Sequence, residues 1–161
     1  MANQSFEVLN PPNKLKELVG GEARIDEDLL AKAEEAAQKV IDTIDLSETT
    51  KPQVLELQAA VDAITEGQPQ ADHEKRIFAI MHDLRGEGAN FGYPLVARIA
   101  ASMNHYLDSA EPGSRERNDI DVIRAHVDAL RGVLANKLKG ETGEIGAKTV
   151  GGLEAISGLR D

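Results

Sequence analysis

The sequence contains no cysteine and no tryptophan, and three phenylalanines and two tyrosines bring the aromatic share to only 3%. Without cysteine there is neither a disulfide framework nor a thiolate metal site, so a reducing, cytoplasmic setting is expected. So few rings leave no base-stacking platform, and a formal net charge of −10 opposes a phosphate backbone, which argues against nucleic acid as a partner. No apolar run approaches the roughly 20 residues that span a bilayer, and Met1 to Gly20 lacks the basic start and apolar centre of a signal peptide. No membrane association is expected. With aromatics this scarce, the core must be built from Leu, Ile, Val and Ala.

What the chain does have is helical periodicity along most of its 161 residues, enough length to bury one core without staples. Residues 1–24, with Pro11, Pro12, Gly20 and Gly21, read as an N-terminal arm holding one short turn around Leu15 to Val19. From Ile25 to Ile44, Leu29, Leu30, Ala33, Ala36, Ala37, Val40 and Ile44 recur at three- and four-residue spacing. They predict an amphipathic helix, capped by Asp26 or Asp28 and packed alongside the next helix or continuous with it.

A second helix begins near Thr50, whose hydroxyl can cap it while Pro52 occupies the first turn; it carries Val54, Leu55, Leu57, Ala60, Val61 and Ile64 and stops at Gly67 and Pro69. A third runs from about Asp72 to Phe91 and a fourth from about Pro94 to Leu107, with Leu95, Val96, Ile99, Met103 and Tyr106 inward. Only Gly92 and Tyr93 separate these two, which forces them to be antiparallel neighbours. A fifth spans about Arg115 to Leu138, with Val122, Ile123, Val127, Leu130, Val133 and Leu134 apolar. Residues 139–161 read as a Gly-rich C-terminal extension with a short helix near Lys148 to Ile156 that is not expected to dock. The predicted class is all-α: an up-and-down antiparallel four-helix bundle with an additional N-terminal helix and terminal extensions. It would occupy residues 25–138, with its core at about 50–138.

Within the third helix lies HDLRGEGANFG, His82 to Gly92, where two glycines each cost a helix about 1 kcal/mol relative to alanine. On a helical wheel Ile77, Met81, Leu84, Gly88 and Phe91 form the core stripe, and His82 lies about 140° from its middle. The imidazole therefore projects to solvent. Small residues, Ala79, Gly86 and Ala89, share its surface, with Phe78 one turn before and Arg85 three residues after. An accessible histidine can act as a nucleophile that carries a phosphoryl group, and a nearby guanidinium can offset the charge of that group. Gly86 clears the approach, whereas Gly88, on the buried stripe, admits a neighbouring helix.

These residues resemble the signature of the histidine phosphotransfer (HPt) domains of phosphorelays, through His82, Leu84, Arg85, Gly86, Gly88, Ala89, Phe91 and Gly92. Glu87 stands where the family usually has a small residue. The resemblance implies an HPt-like bundle in which His82 accepts a phosphoryl group from the aspartate of a response-regulator receiver domain and passes it on. Arg85 and Gly86 would belong to the reactive site, and Phe78, Ala79 and Ala89 to the docking face. Asn104 aligns where some members hold an amide that hydrogen-bonds the histidine. The implied partner is a receiver domain, including one carried by a hybrid histidine kinase. The carrier would be a monomer with no cofactor of its own, and Mg²⁺ would come from the receiver.

Nothing matches an ATP-binding kinase domain, so the chain reads as a carrier and not an enzyme. A different class of reading is a helical regulatory module that docks on a receiver or histidine kinase without carrying phosphate. The other histidines point elsewhere: His126 falls in the middle of an apolar face, as a hydrogen-bonded core histidine does. His73 flanks a helix start, and His105 points away from the core of its helix. No pair of histidines and carboxylates keeps zinc-ligand spacing on these helices. The terminal GEIGAKT lacks the strand and the Gly-Lys step of a phosphate loop.

Overall fold

A computed structural model describes residues 27–67, 70–140 and 144–159, and among these there is no strand. The arm at residues 1–24, its turn at Leu15 to Val19, the cap at Asp26 and the stop at Pro69 lie outside the described residues. Contacts divide the chain into two compact units, Met1–Gln38 and Lys39–Asp161.

Helix α1 (Glu27–Thr43) crosses that division. Asp28 does not cap it from outside; it lies in the first turn and pairs with Lys32 at 3.0 Å. Of the apolar stripe predicted for α1, Leu29, Leu30 and Val40 are 67%, 46% and 62% exposed. Periodicity creates an apolar face but does not determine what covers it.

In the second unit, a four-residue turn of helix, α2 (Leu46–Thr49), precedes α3 (Lys51–Thr65). Asp45 caps α2 by accepting from the Ser47 N–H, and a 2.6 Å bond from Lys137, the larger effect, helps hold its carboxyl down to about 2. Thr50 stands at the N-cap of α3 as expected, but its hydroxyl turns back to the Leu46 carbonyl at 2.6 Å and so makes no side-chain cap. Pro52 does occupy the first turn. Next come α4 (Gln70–Asn90), α5 (Pro94–Asp108), α6 (Arg117–Ala135) and α7 (Glu144–Ile156).

Helices α3 to α6 close an antiparallel four-helix bundle in which α4 neighbours α3 and α5, and α6 completes the square. Its centre is aliphatic: Leu57, Val61, Ile77, Met81, Leu84, Val96, Ile99, Met103, Ile123 and Leu130 are fully buried. Arg115 does not open the fifth predicted helix. It is buried in the preceding loop, where it pairs with buried Glu74 at 2.7 Å and donates to the last carbonyls of α5, at Tyr106 and Leu107. That clamp ties the long loop to α4 and satisfies orphan carbonyls of α5.

The C-terminal extension departs most from expectation, because α7 docks on α5 and α6. Val150 and Leu153 are buried, and Arg98 makes a bidentate pair with Glu154, both bonds 2.8 Å. The glycines at 151 and 152 weaken the helix locally, but these tertiary contacts outweigh propensity.

Candidate functional site

The middle of α4 carries the site. Its inward positions, Ile77, Met81, Leu84 and Gly88, are buried as the wheel requires. His82 is exposed on the outer surface, and no atom among the described residues hydrogen-bonds its ring. Ala79, Arg85, Gly86 and Ala89 are exposed around it, and Phe78 is half-buried with its ring against the core. Arg85 likewise has no hydrogen-bond or ion-pair partner among the described residues. Its guanidinium is thus available to an incoming group three residues from the imidazole.

The two glycines separate as predicted. A Cβ on Gly86 would meet nothing within 4 Å, so that side of His82 is open. A Cβ on Gly88 would stand 2.8 Å from the Ala97 main-chain nitrogen and 3.0 Å from Val96 Cβ, closer than packing permits. Gly88 therefore lets α5 lie directly on α4. Glu87 faces away and accepts from Gln53 of α3 at 3.3 Å. Gly92 ends the helix with φ 77°, a conformation that favours glycine, while the Tyr93 N–H closes on the Gly88 carbonyl at 2.8 Å.

This close hairpin brings Asn104 of α5 against α4. With its amide turned to satisfy both ends, the nitrogen donates to the Phe78 carbonyl and the oxygen accepts from the His82 main-chain N–H, each at 3.2 Å. The amide expected from the family resemblance reaches His82 at its main-chain N–H and not at the imidazole. It brackets the helical bond that defines the His82 turn. Only the fold shows which atoms of Asn104 and His82 meet.

Residues 27–133 match the family model of the Hpt domain. The chain belongs to the Hpt domain family. The match spans α1 and reaches the last turn of α6, so it begins well before the bundle core expected at about residue 50. Neither the comparison with curated proteins nor that with solved structures found a match. Membership assigns the chain a phosphotransfer role in phosphorelay signalling, as a carrier that works with receiver domains and kinases.

The remaining histidines of this Hpt protein lie where the pattern put them. His126 is fully buried, Nε2 2.8 Å from Ser102 Oγ and Nδ1 2.8 Å from the Val122 carbonyl, and burial pushes its pKa below the ordinary value. His73 is in the first turn of α4, and His105 is exposed on α5. Among the described residues no group of three or more His, Asp or Glu is placed to hold a metal ion, and no helix is long and apolar enough to cross a membrane.

Proposed function

We propose that His82 is the phosphoryl-carrying residue, accepting the group from a receiver-domain aspartate and delivering it to another. The observation that carries this is the environment of His82: an exposed imidazole with no partner among the described residues, beside the open surface of Gly86 and the uncommitted guanidinium of Arg85. An unprotonated ring nitrogen attacks phosphorus, and the bond from phosphorus to the aspartyl oxygen breaks, its electron pair leaving with the carboxylate. Arg85 offsets the charge of the transferring group, and Asn104 fixes the turn that aims the ring. Phe78, Ala79, Gly86 and Ala89 form the surface against which the receiver docks. The residues around His82 supply positioning and one cation, so Mg²⁺ is assigned to the receiver's acidic pocket.

The test is transfer from a labelled phospho-receiver to wild type and to His82→Gln. Label on the wild type and none on the variant supports the carrier. Equal labelling of both places the phosphoryl group elsewhere, and a receiver that binds both chains while labelling neither makes the protein a docking module.

A further inference from the structure

Beneath α7 runs a chain of buried polar groups that the phosphoryl site does not use. Ser102 Oγ of α5 lies 2.8 Å from His126 Nε2 of α6 and 2.8 Å from Ser157 Oγ, just past α7, and Ser157 Oγ is 3.0 Å from the Glu154 carbonyl. All three side chains are buried. The Val122 carbonyl accepts only, so Nδ1 carries the proton in the neutral ring and Nε2 accepts from Ser102. Ser102 and Ser157 have one hydroxyl hydrogen each, so while Ser102 donates to the ring, Ser157 can donate either to Ser102 or to the Glu154 carbonyl, and one of those two contacts lacks a hydrogen.

A proton arriving at Nε2 reverses this order without moving a heavy atom. Nε2–H then donates to Ser102, Ser102 to Ser157, and Ser157 to the Glu154 carbonyl. No hydrogen bond is lost and the Glu154 carbonyl gains its donor, so the cost of the added proton is that of a buried positive charge. Among the described residues no carboxylate is bonded to the ring. Glu154 of α7 is held bidentately by Arg98 of α5, and Asp119 of α6 accepts from Tyr106 of α5, whose ring stacks on His126 at 6.5 Å. Glu74 of α4 is committed to Arg115, and α3 brings only Leu57, Ala60, Val61 and Ile64 into the core. The chain of hydroxyls ends at Ser157, and the buried residues of α7 and the turn after it are Val150, Leu153, Glu154 and Ser157.

We infer that the Ser102–His126–Ser157 chain is a proton-operated latch, which holds α7 on α5 and α6 and releases it when His126 takes up a proton. Burial lowers the affinity of His126 for that proton in the docked state. The opened state therefore binds protons more readily. Docking is strongest above the ordinary histidine pKa of about 6.5, and it weakens as pH falls below that value towards the lowered one of the docked ring.

Hydrogen exchange on the full chain, corrected for the intrinsic pH dependence of exchange, tests the latch. Protection of amides from Val150 to Ile156 should fall by up to about tenfold per pH unit below about pH 6.5, the limit for one proton. Amides of Met81 and Leu84 should not follow. His126→Gln should keep α7 protected and remove the pH dependence, while His105→Gln, altering the exposed ring that faces Gly158, should retain it. Ser157→Ala leaves the ring in place and should lower α7 protection at every pH. A flat pH profile in the wild type, an unchanged fall in His126→Gln, or full protection in Ser157→Ala overturns the inference.

Discussion

Gly88 and Ala97 approach so closely that a Cβ on Gly88 would stand 2.8 Å from the Ala97 nitrogen. Since the atom met is main chain, α5 itself would have to move. Gly88→Ala should therefore destabilise the fold by about 1–3 kcal/mol, more than alanine's helical preference returns. Urea denaturation measures it; an unchanged or raised midpoint would show that the hairpin has slack.

Gly86→Ala should do the opposite to stability. With nothing within 4 Å, the new methyl meets only solvent, and helix propensity should add about 0.5–1 kcal/mol. Phosphoryl transfer should slow, because the methyl stands on the face the receiver must cover. A stabilised variant that transfers at the wild-type rate would remove Gly86 from the docking surface.

Arg85→Ala should leave the helical circular dichroism signal intact, since the guanidinium has no partner among the described residues. Loss of a charge-assisted bond to the transferring group should slow transfer about 10- to 100-fold. Rapid-quench kinetics with a labelled receiver reads the rate. Lost helicity would instead make Arg85 structural.

Asn104 offers a test of which of its amide atoms faces which group. Asn104→Leu removes both contacts, yet the Phe78 carbonyl and His82 N–H still have each other in the helix, so the cost should be about 1 kcal/mol. Asn104→Asp puts a carboxylate oxygen against the Phe78 carbonyl and should cost more. Thermal melts of the two variants rank them, and the reverse ranking would refute the clamp described.

At alkaline pH, Tyr106 should contribute a loss of stability. Burial, followed by its bond to Asp119, pushes its phenol up to about 12. A raised pKa means the folded state favours the protonated phenol. This contribution is therefore complete below the ordinary value of about 10 and fades as pH rises through about 12. Tyr106→Phe should lose that component of the pH dependence in denaturation midpoints.

Much of this was legible because the information is local. The stripe Ile77, Met81, Leu84 and Gly88 follows from helical period alone, and that period also separates Gly86 from Gly88 and turns His82 outward. His126 was readable as a core residue for the same reason. The docking of α7 was not: it depends on Arg98 meeting Glu154 and Ser102 meeting Ser157, pairs far apart in sequence and brought together only by the fold. The stripe of α1 is a contrary case, since amphipathicity predicts an apolar face and Leu29 on that face is exposed. Thr50 and Arg115 have the chemistry of a cap and a helix start, but the Thr50 hydroxyl bonds the Leu46 carbonyl one turn back and Arg115 is taken by Glu74, distant in sequence.

The turn at Gly92 and Tyr93 has a kinetic consequence. His82, Arg85, Gly86 and Asn104 all belong to the single helical hairpin it closes, so the reactive turn and its clamp assemble from contacts at short range along the chain. Loop closure of that kind is fast and entropically cheap. During synthesis the hairpin is complete in sequence before α6 and α7 have emerged. Later segments can diverge, lengthen or detach while the surface around His82 is drawn from one local hairpin.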